Sequence, residues 1–239
     1  MKTEFISLAS HQLRTPLSAM KWFSEMLIHG DAGKLTDNQQ KYAGYIYNSN
    51  ERMIALVNSL LNVSRIESGR IIIDPVLINI KEILDPILID IKLKTDAKKQ
   101  KLSVEIGKDI PKIKLDEKLI REVYLNLLTN ASKYTPDSGE INLKVYIKNN
   151  QLYSEVKDTG FGILEKDKNK IFQKFFRGEN IIQKDTEGTG LGLYLIKTIV
   201  ETCSGKIWFE SKENKGTTFY FTIPASGMKK KEGSIKLNA

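Results

Sequence analysis

The first 67 residues carry apolar side chains at helical spacing and contain no stretch that alternates as a strand does. Apolar or small residues recur every three or four positions along two segments, namely Leu13, Leu17, Met20, Ser24 and Leu27 in the first and Ile46, Met53, Leu56, Leu60 and Val63 in the second. Gly30 and the DAGKLTD stretch after it predict a turn, and Thr36 or Asp37 can cap the second helix. We therefore predict an antiparallel helical hairpin. Its apolar seam is too wide to bury alone, and pairing with a second copy into a four-helix bundle would close it.

Composition limits the classes of protein to which the chain can belong. The single cysteine among 239 residues, Cys203, excludes an intramolecular disulfide framework and multi-cysteine metal sites. No apolar run approaches the roughly 18–20 residues of a membrane span, and the N-terminal residues lack the apolar core of a secretory signal. These features favour a cytoplasmic protein. The net charge of +8 suits a polyanionic partner but does not distinguish nucleotide phosphate from nucleic acid or an acidic protein.

Beyond the hairpin, strand and helix patterns mix without regular β-α-β alternation, which favours an α+β fold with helices on one face of a largely antiparallel sheet. The predicted strands are 71–80, 102–106 and 111–115, a pair over 140–158 turning at Asn149-Asn150, and a pair ending at Pro224. The predicted helices are 81–100, 117–134, a short one near 165–175 and one ending near Cys203. The predicted domains are 1–69, 70–225 and a basic, disordered tail over 226–239.

One predicted helix presents a polar face. Glu122, Asn126, Asn130 and Lys133 are spaced by four, four and three residues, which places them on one side of the helix. Magnesium prefers hard oxygen ligands, and an ammonium group offsets phosphate charge, so this face suits a magnesium–phosphate complex. A solvated helix face is the alternative that this segment alone leaves open.

Two glycine-bearing loops follow. In the first, Asp158 leaves a strand ahead of Gly160 and Gly162, and its carboxylate can accept a hydrogen bond from an exocyclic amino group such as that of adenine. The second, GTGLGL over 188–193, leads into an apolar helix, an arrangement that favours phosphate. A simple Asp-Gly turn is the alternative for the first loop. A dinucleotide fingerprint is disfavoured for the second, because that motif follows the first strand of a β-α-β unit. The polar segment 178–189 is a candidate lid.

The order NxxxNxxK, DxGxG, FxxFF, GTGLGL and GTTF over about residues 70–224 resembles the ATP-binding domain of sensor histidine kinases, within the gyrase/chaperone/histidine-kinase superfamily. The resemblance implies an α/β sandwich of the Bergerat type, ATP as substrate and Mg²⁺ as cofactor. It implies that Asn126 and Asn130 hold the metal and phosphate, Lys133 contacts phosphate, Tyr134 lines the pocket and Asp158 reads adenine. The other ATP-binding residues that it implies are Gly160, Gly162, Phe172, Phe175, Arg177, Gly188, Thr189, Gly190, Leu191, Gly192, Thr217 and Thr218.

The resemblance also bears on the reaction. Hydrolytic superfamily members carry a glutamate where this chain has Asn126, and an amide cannot accept a proton from water. Transfer of the phosphoryl group to a protein acceptor is therefore favoured over rapid hydrolysis.

The candidate acceptor is His11, in the segment SHQLRTPL. At about 100° per residue it lies roughly opposite Met20, away from the apolar stripe, and an exposed neutral imidazole is a competent nucleophile. Pro16 predicts a kink just beyond it. The segment resembles the acceptor box of histidine kinases, which favours His11 over an idle surface histidine. His29, before Gly30, suits a helix C-terminus and is interpreted as structural.

One position departs from the family pattern. The resemblance leads us to expect Glu or Asp directly after the acceptor, and the chain has Gln12, whose amide cannot take up charge. Autophosphorylation is expected to be slowed. Thr15 resembles the residue that positions water for dephosphorylating the partner regulator, so the balance can lean towards phosphatase activity.

The function that this resemblance implies is a bacterial two-component histidine kinase core, a homodimer that phosphorylates His11 and passes the phosphoryl group to an aspartate of a response regulator. No nucleic-acid motif is present. We expect membrane attachment only through a sensor region outside this chain, and a longer parent protein anchored in the inner membrane is compatible with this. The alternatives are a superfamily ATPase or chaperone, and a catalytically weak nucleotide-binding scaffold.

Overall fold

The computed structural model describes residues 2–69, 71–179 and 188–233, with side chains from residue 12 onwards. Its first part is a helical hairpin of α1 (Lys2–His29) and α2 (Asp37–Glu67). Helix α2 begins with a reciprocal cap, because the backbone N–H of Gln39 donates to Thr36 Oγ1 and the Thr36 N–H donates to Gln39 Oε1. Gly30, at φ +85°, allows the chain to leave α1. None of the helices in the described part of the chain is long and apolar enough to cross a bilayer.

The hairpin buries only part of its predicted seam. Leu17, Ser24 and Val63 are buried, and the Asn50 side chain joins the helices by donating to the Leu17 carbonyl at 2.8 Å. Leu60 is partly buried. Six other stripe positions stay exposed, with exposed fractions of 51% at Leu13, 40% at Met20, 38% at Leu27, 55% at Ile46, 44% at Met53 and 38% at Leu56. One copy of the hairpin therefore leaves an apolar face open to solvent.

The second part contains a five-stranded sheet in the order β2-β4-β5-β7-β6, in which β2 and β4 are parallel and the other pairs antiparallel. A separate antiparallel pair joins β1 and β3. The strands are β1 (Val76–Ile78), β2 (Lys101–Ile106), β3 (Ile113–Leu115), β4 (Glu140–Lys148), β5 (Gln151–Asp158), β6 (Lys206–Lys212) and β7 (Gly216–Pro224). The helices are α3 (Ile80–Ala97), α4 (Glu117–Tyr134) and α5 (Gly192–Thr202). The α+β prediction is confirmed.

The core lies between the sheet and helices α3, α4 and α5. Side chains alternate along β4 and β5, and those on one face are buried, as Leu143 and Val156 illustrate. Tyr124 of α4 packs edge-on against Phe221 of β7, and its hydroxyl shares a 2.6 Å hydrogen bond with Ser154. These contacts fix the position of α4, and with it the position of its polar face, relative to the sheet.

Two segments differ from the sequence prediction. The strand predicted over 71–80 is reduced to β1, because Pro75 has no N–H to donate to a ladder. The helix predicted near 165–175 is a three-residue 3₁₀ helix, Glu165–Asp167, followed by turns with i→i+3 bonds. Phe175, at φ +61°, then leaves helical conformation.

The predicted disordered tail also differs over its described residues, 226–233. Met228 is buried, and its backbone N–H donates to the Lys114 carbonyl at 2.8 Å. Lys231 pairs with Ile73 as an isolated bridge. Apolar burial and strand-like bonds thus hold this segment against β3, and residues 234–239 lie outside the described part of the chain.

Candidate active site

A cavity of about 340 Å³ opens between α4, the loop after β5, the start of α5 and strand β7. The polar face of α4 forms one wall, and apolar side chains after Gly162 form another. Two residues of α2, Ala55 and Ser59, also line it, so the cavity faces the hairpin. A cavity with an apolar wall and a few convergent polar groups is typical of a small-molecule site.

Asp158, the last residue of β5, provides a buried acceptor in this cavity. The residue is 7% exposed, and Oδ1 accepts hydrogen bonds from the backbone N–H groups of Gly160 at 2.8 Å and Thr217 at 3.1 Å. Burial raises the pKa of this carboxyl to about 6, although the two N–H bonds act in the opposite direction. Among the described residues no donor reaches Oδ2, which remains available to a donor on a ligand.

Helix α4 presents Asn126, Asn130 and Lys133 to the cavity. Asn126 Nδ2 donates to Glu122 Oε1 at 2.9 Å, and burial raises the pKa of the Glu122 carboxyl while this hydrogen bond offsets part of the effect. The C-terminal carbonyls of α4 are capped by Lys98 and Gln100, whose side-chain nitrogens each donate to the carbonyls of Ser132 and Thr135. This cap fixes the helix end that carries Lys133.

The glycine loop before α5 faces two cationic side chains. A Cβ placed on Gly188 would lie 3.5 Å from both Lys133 Nζ and Arg177 Nε, so these groups converge on the backbone there. The N-terminus of the 11-residue helix α5, which carries the positive end of the helix dipole, lies next to them, and no side chain among the described residues caps it. The arrangement favours a phosphorylated ligand.

Gly190 shows why this loop needs glycine, and it supports a prediction. It has φ +68°, and an added Cβ would lie 2.6 Å from the Phe175 carbonyl carbon. Gly190→Ala should therefore shift the loop and weaken nucleotide binding by about tenfold or more, since strain of 1–2 kcal/mol alone approaches that factor. Titration calorimetry with ATP measures the effect. Gly44→Ala, on α2 with open space around it, should leave affinity unchanged, and equal affinities in the two variants would refute this account of the loop.

The residues present fit magnesium better than a transition metal. The described residues contain no group of three His, Cys, Asp or Glu side chains able to hold a metal ion. Asn126 and Asn130 instead offer amide oxygens beside a phosphate-favouring loop, and magnesium is commonly bound by few protein oxygens together with phosphates and waters.

Comparison with known proteins identifies the family. Residues 1–69 match the His Kinase A (phospho-acceptor) domain, and residues 115–227 match the histidine kinase-, DNA gyrase B-, and HSP90-like ATPase family. The solved catalytic domain of histidine kinase ThkA is 30% identical, with a TM-score of 0.56, over 64% of this chain and 96% of that one. The chain belongs to the sensor histidine kinase family.

Curated histidine kinases align with nearly the whole chain. WalK of Bacillus subtilis is 34% identical and CikA of Synechococcus elongatus 33% identical, each over 93% of this chain. The chain spans 36% and 30% of the lengths of these two relatives. Full-length ShkA, solved in complex with AMPPNP, has the same fold, with a TM-score of 0.79 at 24% identity over 97% of this chain and 47% of that one.

The kinase fold brings most of the predicted ATP-binding residues to one cavity. Those that line it are Asn126, Asn130, Lys133, Tyr134, Asp158, Gly162, Arg177, Gly188, Thr189, Gly190, Gly192 and Thr217. Those that lie outside its lining are Gly160, Phe172, Phe175, Leu191 and Thr218. Gly160 instead donates its N–H to Asp158, Leu191 is fully buried, and Phe172 packs on Phe209 and Phe219.

The proposed acceptor region is described only in part. His11 lies on α1, and its side chain is outside the described residues. Gln12 and Thr15 are exposed, and α1 continues through Pro16. Most of the predicted lid, residues 180–187, is likewise outside the described part of the chain.

Several residues that line the cavity were not predicted from the sequence. Ile163, Ile171, Phe176 and Phe219 supply apolar surface, and Asp167 is a buried carboxylate in the same wall. The first three could have been predicted, because they are apolar and lie next to GxG or within or next to FxxFF. Ala55 and Ser59 carry no such signal, because only the docking of the domain against α2 brings them to the site.

That docking combines apolar packing of Val63 and Ile66 in the domain core with a polar cluster at the end of the hairpin. Glu67 of α2 accepts hydrogen bonds from Lys174 Nζ at 2.5 Å and from the Tyr194 hydroxyl. Lys174 also lies 5.0 Å from the centre of the Tyr194 ring. The cluster ties both the FxxFF segment and helix α5 to α2.

Proposed function

We propose that this chain is the catalytic core of a two-component histidine kinase, which transfers the terminal phosphoryl group of ATP to His11 and then to an aspartate of a response regulator. One observation carries the proposal: the cavity that combines Asp158, the Asn126–Lys133 face and the glycine loop is also lined by α2 of the hairpin that bears the acceptor. The motifs in series and the two matched families support it.

In the proposed reaction each group has a separate task. Asp158 Oδ2 accepts the exocyclic amino group of adenine, and Lys133, Arg177 and the α5 N-terminus hold the phosphates. Asn126 and Asn130 would hold Mg²⁺ through their amide oxygens, and the ion would supply positive charge to offset that of the phosphates. A ring nitrogen of His11 forms a bond to the terminal phosphorus as the bond from that phosphorus to the ADP oxygen breaks.

The partners follow from the surfaces of the hairpin. The open apolar face that includes Leu13 and Ile46 supports a homodimer, in which a second copy covers this face in a four-helix bundle. The phosphorylated His11 serves a response-regulator receiver domain, and Thr15 is the candidate for positioning water in a regulator phosphatase reaction. Because ATP is the proposed donor, we place this core in the cytoplasm.

Incubation with labelled ATP and magnesium tests the proposed reaction. We expect label on the protein that is labile to acid and stable to base, as a phosphorylated imidazole requires. Steady phosphate release without protein label would favour the superfamily ATPase instead. Nucleotide binding with neither label nor release would favour the scaffold.

Gln12 supplies a second prediction. Gln12→Glu should accelerate autophosphorylation by about tenfold or more, because a carboxylate beside the acceptor can take up the imidazole proton and such groups are worth about 10²–10⁴ in rate. The initial rate of label incorporation measures this. Asn48→Asp adds the same charge at an exposed position of α2 and should change nothing. No gain in Gln12→Glu would dismiss the proposed effect of residue 12.

A further inference from the structure

The side chain of Glu122 contacts Asn126, and Glu122 itself does not line the cavity. Asn126 Nδ2 donates to Glu122 Oε1 at 2.9 Å and to the Glu122 backbone carbonyl at 3.3 Å. The amide group has two hydrogens, and both acceptors belong to the same residue one helical turn earlier. Both N–H hydrogens of the Asn126 side chain therefore form hydrogen bonds within α4.

The other half of the amide faces the glycine loop. A Cβ placed on Gly192 would lie 2.4 Å from Asn126 Oδ1, so this oxygen sits directly against the start of α5. Among the described residues no hydrogen-bond donor reaches Oδ1. It is an oxygen with free lone pairs in the wall of the cavity.

The Glu122 carboxylate permits only one of the two orientations of the Asn126 amide. Rotating the Asn126 amide by 180° would place its oxygen against the oxygen of Glu122, and an ionised carboxylate has no hydrogen to donate. Only the orientation with Oδ1 towards Gly192 satisfies both groups. A neutral partner such as glutamine could accept or donate, and would permit either orientation.

We propose that Glu122 is a positioning residue, which orients the Asn126 amide so that Oδ1 faces the magnesium–phosphate side of the cavity. The inference rests on the proposed function for the identity of the ligand. Glu122 itself lies behind Asn126 and contacts it through the amide nitrogen. Its effect is to keep a hard oxygen, and not an N–H donor, at the place where a cation binds.

The test compares nucleotide affinity with and without magnesium in Glu122→Ala and Glu122→Gln. Removing a group that orients a metal ligand commonly costs 10–100-fold in metal affinity, so we expect the gain in ATP affinity on adding Mg²⁺ to fall by about tenfold or more in Glu122→Ala. Glu122→Gln should lose less, because it keeps one acceptor. Affinity without Mg²⁺ should stay within about twofold of the wild type, since no phosphate or base contact is removed.

Glu117→Gln is the matched control, since Glu117 lies exposed in the first turn of the same helix. It should keep the full magnesium effect. An unchanged magnesium effect in folded Glu122→Ala, or in Glu122→Gln where the alanine variant fails to fold, would overturn the inference.

A second measurement separates this inference from the proposed function. In the nucleotide-free protein, the two Asn126 side-chain amide protons should exchange slowly with solvent, and they should exchange faster in Glu122→Ala. Unchanged exchange rates, measured by NMR, would contradict a positioning role. A wild-type protein that shows the protected amide but binds no ATP would refute the proposed function and leave the positioning role of Glu122 in place.

Discussion

Replacing His11 with alanine should abolish the incorporation of phosphate from labelled ATP and leave ATP affinity within about twofold of the wild type. The two effects separate because the proposed acceptor and the cavity belong to different parts of the chain. Residue 11 lies on α1 within the matched phospho-acceptor domain, whereas the residues proposed to hold adenine and phosphate lie on α4, the loop before α5 and the loop after β5. Removing the imidazole takes away the nucleophile without touching the nucleotide site.

Two measurements are needed, label incorporation after a fixed time and ATP binding by calorimetry. His29→Ala is the control, because it changes the other histidine, which ends α1 and is exposed. It should label as the wild type does. Label that persists in His11→Ala would move the acceptor to another residue, and loss of both label and binding would point to a folding defect.

The sequence predicted the parts of the fold that depend on local signals. The cap of α2, the turn at Asn149-Asn150 and the bounds of α4 depend on neighbouring residues. The structure shows the turn and the helix bounds as predicted, and of the two candidate caps, Thr36 and Asp37, it shows Thr36. The strand predicted over 71–80 is mostly absent, because apolar character outweighed Pro75 in the prediction. Sheet order and the parallel pairing of β2 with β4 required long-range contacts that no local pattern contains.

The same division holds in the site. Asp158, Asn130 and Lys133 belong to contiguous motifs, and the fold places them in one cavity. Ala55 and Ser59 reach that cavity only through the docking of the domain on α2, where Glu67 holds Lys174. Contacts between domains of this kind depend on the three-dimensional arrangement and leave no periodic trace in the sequence.

The docking of the domain on α2 decides which part of the molecule the cavity faces. The nucleotide cavity faces α2, and α2 is paired with α1 along the hairpin. Phosphoryl transfer requires the donor and acceptor to approach within contact distance. The interface with α2 combines apolar packing of Val63 and Ile66 in the domain core with the polar contacts of Glu67, so a change in domain position must break both. The Glu67 cluster therefore lies where a change in relative domain position would be resisted or released.

Asp158→Asn should weaken ATP binding strongly while making the free protein more stable at pH 7. In the wild type, Oδ1 is occupied by the N–H groups of Gly160 and Thr217, so Oδ2 is left for adenine. In the variant the amide oxygen must take the place of Oδ1, and the NH₂ group then meets the adenine amino group, donor against donor. We expect affinity to fall by about 100-fold, since a buried mismatch of this kind costs about 1–3 kcal/mol.

The stability change has the opposite sign because the carboxylate is buried. Its pKa of about 6 lies above the ordinary value of 3.8, so the native state holds the proton more tightly than the unfolded chain. The contribution of Asp158 to stability is therefore most favourable below about pH 4, and it is lost as pH rises from about 4 through the folded pKa of about 6, by up to roughly 3 kcal/mol. Thermal unfolding of Asp158→Asn should show a higher Tm than the wild type at pH 7 and a similar Tm at pH 4. Asp137→Asn, an exposed change near the same site, should show neither effect.

Ligand binding has its own pH dependence, which adenosine can reveal because it carries no phosphate to titrate. The neutral carboxylic acid presents a hydroxyl donor at Oδ2, so only the ionised form suits the adenine amino group. With a pKa of about 6, adenosine should bind about tenfold more weakly at pH 5 than at pH 7. Asp158→Asn should bind weakly at both values, since it has no proton to lose. Equal adenosine affinity at the two pH values in the wild type would show that Asp158 does not read the base.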